Sequence, residues 1–223
     1  MYKRFLLIIV AFVIFLVITG CWANNANEGD INDEGTENLI ENEYELNEEG
    51  IIEPNNAQKV IEQISSKLID AISDKDMETI SKFVHPTKGL RFTPYTSVSL
   101  KDDIVFSKVE VEEFFNDKNV YLWGYYDGIG DEILLTPREY YEEFIYTKDF
   151  KNIEDVGYNE VLSGGNAVEN QFEVYENPII VEYYFPGLFP EDGAMDWESL
   201  RLVFEQYGNE WKLVGIIHNQ WTI

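Results

Sequence analysis

The sequence predicts an α+β domain in which N-terminal helices pack on an antiparallel sheet. Three observations lead there. Apolar residues recur at spacings of three and four over 57–73, the period of an amphipathic helix. Two long strand-like runs, Glu198 to Tyr207 and Trp211 to Ile223, flank Gly208-Asn209, a hairpin turn signal. Helix signals dominate the first half of the chain and strand signals the end, the order of α+β folds rather than of alternating parallel ones.

The first element is not part of that domain. Lys3 and Arg4 precede an apolar run, Phe5 to Ile18, that ends in Ile18-Thr19-Gly20-Cys21. A basic start, a short apolar run and a small-residue site are the parts of a secretory signal peptide. The run is 14 residues, short of the roughly 20 that cross a bilayer core as a helix. Its end resembles the lipobox of bacterial lipoproteins. That resemblance implies cleavage after residue 20, a diacylglycerol thioether on the Cys21 sulfur and anchoring at the extracytoplasmic face of the cell membrane. An ordinary signal peptide with a cysteine nearby is the competing reading. Cys21 is the only cysteine in the chain, so no disulfide within the chain explains it.

Residues 21–56 read as the lipidated cysteine followed by a disordered tether. Positions 22–56 hold 11 acidic residues, no Lys or Arg, and no persistent period. The chain carries 42 acidic and 16 basic residues, a net charge of −26, and loss of Lys3 and Arg4 with the leader makes it −28. Such a surface repels nucleic-acid backbones and anionic head groups. The expected partners are therefore the membrane, through the lipid anchor, and an envelope protein or small ligand, with nucleic acid excluded.

The domain is expected over 57–223. Val60, Ile61, Ile64, Leu68, Ile69 and Ile72 mark the first helix, and Asp74 reads as the N-cap of a second that holds Met77, Ile80 and Phe83. Leu90 to Tyr95 reads as a short strand. Ser107-Lys108-Val109-Glu110 is a capping box for a third helix. Val120 to Tyr126 is a strand with aromatics on both faces, Asp127 to Asp131 a turn. Thr136-Pro137-Arg138-Glu139 starts a fourth helix. Residues 148–178 read as mostly irregular. Ile179 to Phe185 is a strand bounded by prolines, and the two long strands close the chain.

The helix pair through Ser73-Asp74-Lys75-Asp76 and Phe83-Val84-His85-Pro86, followed by closing strands with Trp211-Lys212-Leu213-Val214, resembles the nuclear-transport-factor-2-like (SnoaL-like, cystatin-like) superfamily. The stretch Trp197 to Ile223 is also similar to uncharacterised bacterial exported proteins. The resemblance implies a curved sheet wrapped around helices into a cone with an open pocket. Residues 127–178 depart from it as a long insert. The superfamily hosts enzymes and binding modules alike, so it does not choose an activity.

Chemistry-bearing residues are few. With strict alternation, Lys212, Val214, Ile216, His218 and Gln220 share one face of the last strand, and Leu213, Gly215, Ile217, Asn219 and Trp221 share the other. His218 then lines the cone or sits half-buried in the sheet. Glu182 shares a face with Ile180 and Tyr184, and Arg201 lies on the neighbouring strand, so the two form a cross-strand ion pair or a pocket acid with its partner. His85 reads as a residue at a helix C-terminus. Asp127-Gly128-Ile129-Gly130-Asp131-Glu132 lacks the ligand spacing of a calcium loop. No motif calls for a metal or cofactor. Two functions remain. The first is a lipid-anchored, non-enzymatic binding or accessory domain of the cell envelope. The second is a pocket hydrolase or isomerase with His218 or Glu182 as acid/base, beside Arg201 and Tyr184.

Overall fold

A computed structural model describes residues 44–165, 168–189 and 195–222. The signal peptide, Cys21 and tether residues 22–43 lie outside the described residues. The fold is mixed α+β, with a mainly antiparallel sheet and a few helices. Among the described residues no helix is long and apolar enough to cross a membrane.

Helix α1 spans Pro54–Ser73 and buries Ala57, Ile61, Leu68 and Ile72 along one stripe. It starts before the first apolar repeat because Pro54, with φ already fixed near helical values, opens it. Helix α2, Met77–Phe83, is capped by Asp76 rather than Asp74: the Asp76 carboxylate accepts the Thr79 N–H at 3.0 Å. Asp74 instead closes α1.

The tether boundary also moves. Leu46 bridges to Ile52, the Asn47 side chain accepts the Glu49 and Ile51 N–H groups, and Asn159 donates to the Ile52 carbonyl at 2.9 Å. Ile52 is 2% exposed and belongs to the main core. The disordered reading therefore fails for 44–56, where local turns and one buried isoleucine outweigh the acidic composition. A chain beginning at Ala57 is expected to be less stable than one beginning at Tyr44 by at least about 2 kcal/mol, the lower cost of losing a buried Ile side chain. Urea titration of both forms checks this, and equal midpoints would place 44–56 outside the cooperative unit.

The main sheet has six strands in the order β2-β1-β8-β7-β6-β5. They are β1 (Leu90–Thr93), β2 (Ile104–Phe106), β5 (Val156–Tyr158), β6 (Ile179–Phe185), β7 (Glu198–Tyr207) and β8 (Glu210–Gln220). All neighbours are antiparallel except β1 and β8, where Phe92 sits beside Ile216 in parallel. The sheet is thus not purely antiparallel. The chain leaving α2 is already tied to β8 by a Val84–Leu213 bridge and the His85 N–H on the Leu213 carbonyl, so β1 runs on in the direction of β8. A separate ribbon pairs β3 (Tyr121–Tyr125) with β4 (Glu132–Leu135).

Both capping boxes form. Ser107 caps α3 (Lys108–Glu112), and Thr136 caps α4 (Pro137–Tyr140), which runs on as a π-helical turn, Tyr141–Ile145. Strand β5 and the short helix α5 (Gln171–Val174) lie inside the stretch read as irregular.

Both faces of the sheet are covered. Ile61, Leu68 and Ile72 of α1 share the larger core with Val181, Leu202, Phe204, Leu213 and Ile216. Val98, Tyr175, Ile180, Val203, Val214 and Ile217 form a smaller cluster. This division corrects the face assignment of β8. The β7–β8 register shifts between Val203 and Phe204, which pair with Gly215 and Leu213. Val214 is the extra residue of a bulge, and a bulge inverts the alternation beyond it. Ile216 and His218 therefore join Leu213, while Ile217 and Asn219 join Val214. Gly215 is required there, because a Cβ would come within 2.4 Å of the Tyr175 hydroxyl.

Candidate functional site

The four residues singled out in the sequence do not share a pocket. Glu182 and Arg201 are register partners on β6 and β7, and the Arg201 Nε donates to Glu182 Oε1 at 3.1 Å. Both are essentially fully buried. Leu162, Ser163 and Glu169 lie against them. The Leu162 N–H and the Ser163 hydroxyl donate to the Glu182 carboxylate at 2.6 and 2.5 Å. Arg201 donates a forked pair of bonds to Glu169 and a third, from Nη2, to the Ser163 hydroxyl at 3.0 Å. Burial alone would lower the Arg201 guanidinium. The hydrogen bonds and charges of Glu169 and Glu182 outweigh it and raise it. The group is a latch that pins a loop to the sheet. Tyr184, half-buried, lies beside Trp197 at 6.2 Å between ring centroids.

His218 faces the other way. It is fully buried, its Nδ1 is 3.2 Å from the Pro94 carbonyl, and Phe144 of the π-helical turn meets its ring edge-on at 5.5 Å. Its Nε2 lies 3.7 Å from Glu198, too far for a hydrogen bond. Lys148 binds the other Glu198 oxygen at 3.0 Å. Burial would raise the Glu198 carboxyl, but His218, Thr147 and Lys148 outweigh it and hold it down at about 2. His218 is thus neither cone-lining nor half-buried. His85 is likewise no helix-end cation. Its Nδ1 accepts the Lys88 N–H at 3.0 Å inside a turn, and burial pushes the ring down.

A separate concavity lies elsewhere on the domain. A cleft of about 920 Å³ opens between the loop after β1 and the tip of the β3–β4 ribbon, with Val168 of the latched loop at its margin. Gly124, at φ +147°, makes the floor possible, since a Cβ there would press to 3.2 Å on Pro94. Tyr95, Tyr125 and Tyr126 supply aromatic surface over the buried Trp123. Tyr126 donates to Glu143 at 2.7 Å, which pushes its phenol up to about 12. Burial raises Tyr95, whose hydroxyl meets the Asp127 backbone. Two of the rings are therefore held from their far ends, while Tyr125 is 55% exposed.

Three carboxylates also line the cleft: Asp102, Asp103 and Asp127. Asp103 is half-buried and accepts the Thr93 hydroxyl at 2.7 Å and the Ser99 N–H at 3.0 Å. Burial pushes its carboxyl up against the pull of both donors. Asp102 and Asp127 are exposed, and Asp127 accepts the neighbouring Gly128 N–H at 3.0 Å. Among the described residues that line the cleft there is no Lys, Arg or His. The loops hold each other in place: Asn170 accepts the Val98 N–H at 2.8 Å and donates to its carbonyl at 3.0 Å, so the segment latched by Arg201 braces the cleft wall.

Sequence reasoning missed this cleft. The aromatics of 120–126 were read only as strand residues, and Asp127 to Asp131 only as a turn. The usable signal was the coincidence of exposed-register tyrosines with acidic turn residues. Among the described residues no cluster of His, Cys, Asp and Glu is arranged to hold a metal ion. Comparison of the chain with protein-family models, curated proteins and solved structures finds no match.

Proposed function

We propose that the protein is a lipid-anchored, extracytoplasmic binding or accessory domain of the cell envelope that engages its ligand through the cleft between the β1–β2 loop and the β3–β4 tip. The observation that carries the location is Ile18-Thr19-Gly20-Cys21 at the end of a 14-residue apolar run. Two acyl chains hold a protein at a bilayer where one holds it only marginally. The cleft supports the binding role, because an aromatic concavity with a few placed polar groups is the usual form of a ligand site. A superfamily likeness to the nuclear-transport-factor-2 cone fits the order of α1 and α2 before a sheet that closes with the long β7–β8 hairpin. The face beneath α1 is filled by Phe92, Phe114, Trp123 and Tyr140 rather than left open. The alternative, a hydrolase or isomerase with His218 or Glu182 as acid/base, has less support: both residues are fully buried, and they lie on opposite faces of the sheet.

Expression of the full chain and of Cys21→Ser in a bacterium that processes lipoproteins tests the anchor. The thioether needs sulfur, so the parent is expected in the detergent phase on phase partitioning and the variant in the aqueous phase, with identical circular dichroism. Equal partitioning overturns the anchored reading.

A further inference from the structure

We propose that the cleft binds an elongated aliphatic oligocation, ammonium groups spaced by methylenes, with its charges on Asp102, Asp103 and Asp127 and its alkyl segments against Tyr95, Tyr125 and Tyr126. The inference rests on the reading of the cleft as the binding site and adds the chemistry of its occupant.

Five observations select that chemistry. The carboxylates come from two segments that line one cleft, Asp102 and Asp103 of the β1–β2 loop and Asp127 of the β3–β4 tip, together with Tyr95, Tyr125 and Tyr126, so a chain of charges has carboxylates to meet on both segments. The volume, about 920 Å³, is near the top of the range of about 300–1,000 Å³ usual for small-molecule sites, so it has room for a chain rather than a single ammonium. Tyr95, Tyr125 and Tyr126 line the cleft, and ring faces attract ammonium and its polarised methylenes. A bare divalent ion fits poorly, since it requires a cage of oxygens and no such cluster exists among the described residues. Finally, the only described Lys or Arg ion-paired to these three carboxylates is Lys101, 91% exposed and 3.8 Å from Asp102, and the charge of Arg91 acts on Asp103, so it is the exposed Asp102 and Asp127 that carry little compensation.

The same chemistry reaches an envelope protein from two sources, free polyamines and lysine side chains of a peptide. Titration calorimetry on the full-length chain in neutral detergent, at physiological salt, uses spermidine for the first, trilysine for the second and uncharged chitotriose as the third probe. Saturable binding of spermidine, trilysine or both is expected, and which one binds assigns the source. Asp102→Asn and Asp127→Asn are each expected to weaken it about three- to fivefold, and together about tenfold, in line with exposed ion pairs. Tyr125→Ala is expected to weaken it about threefold. These three side chains are exposed, so their loss leaves the fold intact, which circular dichroism verifies. Glu62→Gln with Glu154→Gln, on α1 and ahead of β5 at the far end of the sheet, serves as the control and is expected to change nothing.

Equal weakening by that remote pair would show a diffuse field effect of the acidic surface and overturn the proposal. Binding of chitotriose alone, lost in Tyr125→Ala, would overturn the oligocation while leaving the cleft as the site. Failure of all three probes to bind would overturn both readings.

Discussion

Arg201→Ala is expected to destabilise the domain by about 3–5 kcal/mol, the usual cost of removing one partner of a buried ion pair. That is a large part of the total stability of a domain, about 5–15 kcal/mol. The guanidinium is fully buried and is the cationic centre between Glu182, itself 1% exposed, and Glu169. Without it the Glu182 carboxylate stays in the sheet interior with only neutral donors, Leu162 and Ser163. Glu169, a third exposed, can turn to water. The cost therefore belongs mainly to Glu182. A second variant separates that cause from simple loss of volume. In Arg201→Met with Glu182→Gln the charge is gone from both strands, the Leu162 N–H keeps its acceptor, and Met fills much of the space. This pair is expected to be more stable than Arg201→Ala, because replacing both buried charges is far cheaper than stranding one. Urea titration followed by circular dichroism reads all three proteins. A double variant no better than Arg201→Ala would show that packing, not the stranded charge, sets the cost. Hydrogen exchange adds a local readout: the Leu162 and Ser163 amides should lose protection first, since the loop they belong to is held down by this network.

That network shows what a sequence can and cannot reveal. The pairing of Glu182 with Arg201 was legible, because two strands flanked by clear turns fix which charges meet. The loop above it was not. Ser163 and Glu169 lie in a stretch with no period, and only the folded chain brings them over β7. The capping boxes at Ser107 and Thr136 were legible because they are local, satisfied within four residues. The face of His218 was not. Its side depends on the bulge at Val214, which exists because the β7–β8 register slips there and Tyr175 occupies the space over Gly215. The cleft was hidden for the same reason at larger scale. Its walls come from 94–103, 123–130 and 168, segments that only tertiary contacts make neighbours.

Trp123→Ala is expected to cost about 3–5 kcal/mol, while Trp221→Ala costs about 1 kcal/mol or less, near the range of surface substitutions. Strict alternation along β8 would have put Trp221 on a buried face beside Leu213 and Ile217 and made it the critical tryptophan. The bulge at Val214 breaks that alternation, and the strand ends at Gln220, so Trp221 stands 37% exposed past its end. Its N–H donates to the Trp197 carbonyl at 3.1 Å, a backbone bond that alanine keeps. Trp123 is the opposite case. It is fully buried and stacked on Tyr140 at 3.8 Å, with Phe92, Phe106 and Tyr121 meeting it edge to face. Its indole N–H donates to the Leu135 carbonyl at 2.9 Å, which ties β3 to the end of β4. Removing the ring opens a cavity among aromatics that cannot collapse around an alanine and takes away that hydrogen bond. Trp123→Phe should recover part of the loss by restoring a stacked ring without the donor. Urea titration read by circular dichroism avoids the fluorescence lost with each tryptophan. If Trp221→Ala proved as damaging as Trp123→Ala, the end of β8 would have to be packed rather than exposed.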